Sequence, residues 1–243
     1  MIAENLSTIK ALAFDFGGTL DAPFLHWLDI YLMAYAEVLG KPLDRDVFYE
    51  SYVYGERQME SQQLVNKEHS LLETQLFKTH LQTAHLIERK VLDDTLYNRE
   101  ELPKHVAEWV TDYSAGYVRR NEPVLRKLSE KYTLLLVSNY YGNIRRIATD
   151  LNIADCFRSI TDSTIEGVRK PDPKLWELAI QRAGFRPEEV VVIGDSTKND
   201  ILPALSLGCH TVQGYPENIK PEKIDSSRDY IFSIEELLPL LLG

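Results

Sequence analysis

Hydrophobic and polar positions along the chain fall into two textures. In the first, short apolar runs stop abruptly at polar or glycine residues. Residues 11–16 run into Gly17-Gly18, with Asp15 inside the stop. Residues 133–137 stop at Ser138-Asn139, and residues 190–193 stop at Gly194-Asp195. Each reads as a buried strand closed by a tight turn. Helical spacing predicts helices over 122–132, 143–151, 173–183 and 199–207 between them. Strands alternating with helices of this length imply a parallel sheet wound on both faces. Residues 210–215 and 229–232 read as later strands. Residues 233–242 read as a closing helix, with Ser233 as N-cap and Glu236 three residues on, the pattern of a capping box.

The second texture, residues 23–116, carries almost no strand signal. Residues 24–39 place apolar and aromatic side chains at helical spacing and stop at Gly40-Lys41-Pro42. Residues 44–63, 68–89 and 103–117 also read as helices, the last continuing toward the α/β part. So long an excursion must carry structure of its own. The expected fold class is α/β: a Rossmann-like doubly wound parallel sheet built from 1–22 and 117–243, with an all-helical insert at 23–116 after the first strand.

Charge narrows the function. The chain of 243 residues holds 27 Lys+Arg and 37 Asp+Glu, a formal net charge of −10. That weighs against nucleic acid, whose phosphates call for clustered cations, and against anionic membrane surfaces. A phosphorylated substrate stays open, because a bound cation reverses the local sign. Cys156 and Cys209 form no CxxC pair and read as reduced and structural. No apolar run approaches the roughly 18 residues of a membrane span. The first residues, MIAENLSTIK, show no secretory pattern, so the expected location is cytoplasmic.

In an open parallel sheet, ligands bind at the carboxyl ends of the strands. Those ends carry Asp15, then Ser138-Asn139, then Gly194-Asp195 with Asp200 beyond. Lys170 lies in the loop 167–173 that opens a helix. Phosphoryl transfer needs a nucleophile, a cation to offset phosphate charge, and donors for the transferring oxygens. Three Asp residues supply hard oxygens suited to Mg²⁺. Ser138 supplies a hydroxyl and Lys170 a fixed charge. Taken singly, Asp15 could cap a turn, Ser138 could shape one, and Lys170 could be solvated.

Asp15-Phe16-Gly17-Gly18-Thr19-Leu20, Ser138-Asn139, Lys170-Pro171 and the run from Gly194-Asp195 to Asn199-Asp200 resemble the four ordered motifs of the haloacid dehalogenase superfamily. The insert resembles that superfamily's helical cap of the first type. The resemblance implies that Asp15 is the nucleophile, assisted by Lys170. It implies a Mg²⁺ site at Asp15, the Gly17 carbonyl, Asp195 and Asp200. Ser138, Asn139 and Lys170 are implied as phosphate ligands, with Asn139 equally suited to shaping its loop. The expected substrate is a small phosphorylated molecule.

Gly17 departs from the pattern. Phosphatase members usually carry a second Asp there, which protonates the leaving group and then activates water. Glycine does neither, though its carbonyl keeps the metal role. General acid–base help is worth about 10²–10⁴ in rate. Asp21, His26 and Asp29 lie where a substitute acid could arise, each also suited to a structural task. The cap aromatics Trp27, Tyr31, Tyr35, Phe48, Tyr49, Tyr52 and Tyr54 read mainly as bundle core. Lys67 and Lys78 read as surface lysines rather than the Schiff-base lysine of a phosphonate-cleaving relative. Paired Asp195 and Asp200 disfavour strict dehalogenase chemistry, and Gly17 disfavours a phosphomutase. The reading from another class is a pseudoenzyme that binds a phosphometabolite or acts as a scaffold.

Overall fold

The computed structural model describes residues 2, 5–93, 95 and 98–243. They contain one six-stranded parallel sheet, ordered β3-β2-β1-β4-β5-β6. Its strands are β1 (Ala11–Phe14), β2 (Thr133–Ser138), β3 (Phe157–Asp162), β4 (Val190–Gly194), β5 (His210–Gly214) and β6 (Asp229–Ile231). The helices are α1 (Trp27–Leu39), α2 (Arg45–Ser61), α3 (Leu71–Glu88), α4 (Glu101–Ser129), α5 (Ile144–Asp150), α6 (Ser163–Glu166), α7 (Lys174–Ala183), α8 (Leu202–Leu207) and α9 (Leu237–Leu242). The chain divides into two compact units, residues 1–25 with 115–243, and residues 26–114. None of the helices among the described residues is long and apolar enough to cross a membrane.

In the α/β unit β1 and β4 are apolar and buried at every position, and β2 is so from Leu134 to Val137, as a covered parallel sheet requires. Alternation along each strand splits those side chains between the faces. Ala11, Ala13, Leu135, Val137, Val190 and Val192 pack with Leu175, Trp176 and Ile180 of α7 and Ala204 of α8. Leu12, Phe14, Leu134, Leu136, Val191 and Ile193 serve the opposite face.

Strand β3 is absent from the sequence reading. It lies at the sheet edge and pairs only with β2. Its residues, FRSITD, mix polar side chains with one or two apolar ones, so no apolar run marks it. The closing segment also differs. Residues 234–236 form a 3-10 turn before α9, and Ser233 makes no side-chain cap bond. Glu236 instead accepts from the Phe232 amide at 3.3 Å. The two helices expected at 103–117 and 122–132 are one helix, α4, which runs through Pro123.

The helical unit forms its elements by local rules. His26 caps α1, its Nδ1 accepting the Leu28 amide, and Gly40 ends that helix in the left-handed conformation at φ 67. Phe24, expected inside α1, lies outside it at φ 57. Asp44 caps α2 through the amides of Asp46 and Val47. Ser70 and Glu73 form a reciprocal capping box on α3. The inner face of α3 is polar: Thr74, Gln75, Lys78, Thr79, Gln82 and Thr83 are all buried. Lys78 therefore departs from the surface reading. It is 7% exposed, pairs with Glu56 at 2.8 Å and lies 5.6 Å from the Trp27 ring centre. Lys67 is solvated.

Candidate active site

The carboxyl ends of β1, β2 and β4 carry the polar residues singled out above. Asp15 follows β1, and its amide donates to the Ile193 carbonyl, which ties the loop after β1 to β4. Ser138 ends β2 and is buried. Asp195 follows β4. Asp200 sits in a π-helical turn over Thr197–Ile201, where its carboxylate accepts the Ser196 amide and the Ser196 hydroxyl accepts the Asn199 amide.

One carboxylate oxygen each from Asp15, Asp195 and Asp200 can be chosen so that all lie within 4.8 Å of one another. The Lys170 ammonium joins them, donating to Asp15 Oδ1 at 2.5 Å, Asp200 Oδ1 at 2.7 Å and the Val137 carbonyl at 3.2 Å. Its Nζ also lies 4.9 Å from the Trp176 ring centre. Two glycines permit this crowding. A Cβ on Gly194 would fall 2.6 Å from Asp200, and one on Gly18 would fall 2.9 Å from the Leu25 carbonyl oxygen. Gly18 is also left-handed, at φ 88.

The electrostatics follow from three crowded carboxylates beside one ammonium, with Asp15, Asp200 and Lys170 buried and Asp195 partly so. Burial, then the charges of Asp15 and Asp200, push the Asp195 carboxyl well above its usual range. Burial lifts Asp200 to about 6 against the pull of Lys170. Burial alone would lower Lys170, but the Asp15 and Asp200 carboxylates raise it, so it stays protonated. A divalent cation would relieve this surplus of negative charge, and the all-oxygen donor set suits a hard metal. The residues present fit such an ion.

A model of the haloacid dehalogenase-like hydrolase family matches residues 9–208. The chain belongs to that family. Among its relatives is the glyceraldehyde 3-phosphate phosphatase of Pyrococcus furiosus, 29% identical over 131 residues, 49% of this chain and 54% of that one. The chain spans about half the length of that relative. Among solved structures, the HAD protein YfnB of Bacillus subtilis, bound to magnesium, shares the fold at TM-score 0.58 and 19% identity, over 96% of this chain and 98% of that one. A dehalogenase solved with an intermediate matches at TM-score 0.64 and 20% identity, over 97% and 98%.

Within this family fold the α/β unit brings Asp15, Lys170, Asp195 and Asp200 into one cluster. Asn139 is bound to Lys170 by a different route. Its Nδ2 donates to the Lys170 carbonyl at 2.9 Å, and its Oδ1 accepts the Lys170 amide at 2.8 Å. The acid candidates are engaged elsewhere. Asp21 is wholly buried and accepts the Gly18 amide at 2.6 Å. Asp29 pairs with Arg45. His26 is an N-cap whose burial lowers its proton affinity.

Two residues of the site escaped the sequence reading. Thr19 donates toward Asp15 Oδ2 at 3.0 Å and Asp195 Oδ1 at 3.1 Å, and accepts the Asp195 amide at 3.2 Å. It sits inside the first motif, and only its place was noted there. Gln213 lies near the end of β5, in register with Gly194, and donates to Thr197 Oγ1 at 2.7 Å and to the Asp195 carbonyl at 3.3 Å. Nothing local marks it; strand register brings it there.

Proposed function

We propose that this chain is a Mg²⁺-dependent phosphatase of a small phosphorylated metabolite, working through an aspartyl-phosphate at Asp15. The observation that carries the reading is the cluster of Asp15, Asp195 and Asp200, with the buried Lys170 ammonium paired to Asp15 and Asp200. The phosphatase relative and the magnesium bound by YfnB support it. A cytoplasmic location belongs to the same reading.

Asp15, Asp195, Asp200 and the Gly17 carbonyl would hold the ion, which supplies charge neutralisation for an approaching phosphate. A carboxylate oxygen of Asp15 attacks phosphorus. The ester P–O bond breaks and its electron pair leaves with the alcohol or phenol oxygen. Water then attacks the phosphorus of the acyl phosphate, the Asp15 carboxylate departs, and inorganic phosphate is released with the water's proton passing to solvent. Ser138 and Lys170 steady the phosphoryl oxygens. All three N–H bonds of the Lys170 ammonium are already committed, so contact with phosphate exchanges one of them. Gly17 supplies no proton, so the leaving oxygen departs as an anion or takes a proton from water.

Gly17 also favours a second reading, a pseudoenzyme that binds a phosphometabolite or serves as a scaffold. An aryl phosphate, whose leaving group needs no proton, separates the two. Mg²⁺-dependent turnover that disappears in Asp15→Asn with the fold intact supports the enzyme. No turnover at saturating Mg²⁺, with vanadate still bound, supports the pseudoenzyme.

A further inference from the structure

We propose that Asn139 is a positioning residue for Lys170, fixing the backbone from which the ammonium reaches the carboxylate cluster, rather than a phosphate ligand through its amide. The proposal deepens the phosphatase reading and rests on it for the meaning of Lys170.

The geometry is a closed pair. Both functional ends of the Asn139 amide are used on one residue, the donor on the Lys170 carbonyl and the acceptor on the Lys170 amide. This is the exchange one residue makes with another in a hydrogen-bonded antiparallel pair, supplied here by a side chain. It joins segments 31 residues apart, in a loop where no strand pairing does so. Asparagine suits the task because donor and acceptor share one plane at a fixed spacing. Aspartate keeps the acceptor and loses the donor, and serine is too short to span both.

Asn139 can transmit position because its own loop is braced from behind. The buried Asp162 carboxylate accepts the Gly142 amide at 2.9 Å and the Ile144 amide at 3.3 Å, and Ser163 Oγ accepts the Tyr140 amide at 3.1 Å. Lysine has a long, flexible stem that costs entropy to hold in one geometry. Here it is held at both ends, the backbone by Asn139 and the ammonium by Val137, Asp15 and Asp200. Loosening the backbone end moves the charge relative to the nucleophile.

Three measurements test this on the full-length protein. Asn139→Ala should stay folded by thermal melting and lose about 10- to 100-fold in kcat/KM on an aryl phosphate, the scale of a small misplacement. The loss should vanish in a Lys170→Met background, because Asn139 acts through Lys170. A merely structural role predicts that the two losses add. In a crystal structure of Asn139→Ala, the Lys170 ammonium should have left Asp15 and Asp200. Additive losses, or a Lys170 ammonium still on both carboxylates, overturn the proposal. If Asn139→Ala does not fold, Asn139→Asp carries the same tests, since it keeps the shape and removes the donor. If the wild type turns over no phosphate ester, the phosphatase reading falls, and the position of Lys170 in the variant crystal still decides this proposal.

Discussion

On the proposed phosphatase mechanism, glycine at position 17 would set the range of substrates. Departure without a proton makes the rate depend steeply on leaving-group basicity, so aryl and acyl phosphates should outrun alkyl phosphates. Gly17→Asp should therefore raise turnover of alkyl phosphates selectively, by about 10-fold or more, checked by kcat/KM across a leaving-group series. The backbone allows the change, because the left-handed glycine of this turn is Gly18 and not Gly17. A folded, Mg²⁺-binding Gly17→Asp with no gain on any alkyl ester would favour the pseudoenzyme. A second residue-scale prediction concerns Glu189. The Arg186 amide, then the Lys10 ammonium, depress its carboxyl from 4.5 to about 2. A folded-state value below the unfolded one stabilises above the unfolded value and is lost as pH falls. Glu189→Gln should lower the melting temperature near pH 7. The gap to wild type should close as pH drops from about 4.5 toward 2.

Among the elements, strand ends decide whether the site forms. Strand β4 finishes on Gly194, and the turn of Thr197–Ile201 folds Asp200 back over it. A Cβ there would sit 2.6 Å from three Asp200 atoms. Gly194→Ala should push Asp200 off Lys170 and cut aryl phosphate turnover by about 10²-fold, while far-ultraviolet circular dichroism stays native. Wild-type kinetics in that variant would mean that Asp200 does not need its place. Strands β1, β2 and β4 were legible because they are covered, and a covered strand shows as an apolar run. Edge strand β3 has little such run to show. Helices α1, α2 and α3 were legible from their apolar spacing, while the caps His26 and Ser70 that fix their starts were not. The closing turn at Ser233 was not, since its amides found other partners.

For the whole molecule, three carboxylates crowded together, Asp15 and Asp200 buried and Asp195 partly so, predict linkage to a cation. Mg²⁺ with vanadate should stabilise the protein by about 2.7 kcal/mol at a hundredfold excess over Kd, read as a rise in melting temperature. Asp195→Asn should lose most of that rise. An equal rise in both proteins would place the ion elsewhere. The four motifs, the α/β alternation and the helical insert were all present in the sequence, because turn residues, apolar runs and cap residues act within a few positions of one another. Tertiary structure alone decided which side chains serve the motifs. Thr19 meets Asp195 across 176 positions, Asn139 meets Lys170 across 31, and Gln213 meets Thr197 across 16. It also buried Lys78 in the helical unit. Such partnerships depend on parallel register and on which helix face turns inward, and neither is set until distant segments have packed.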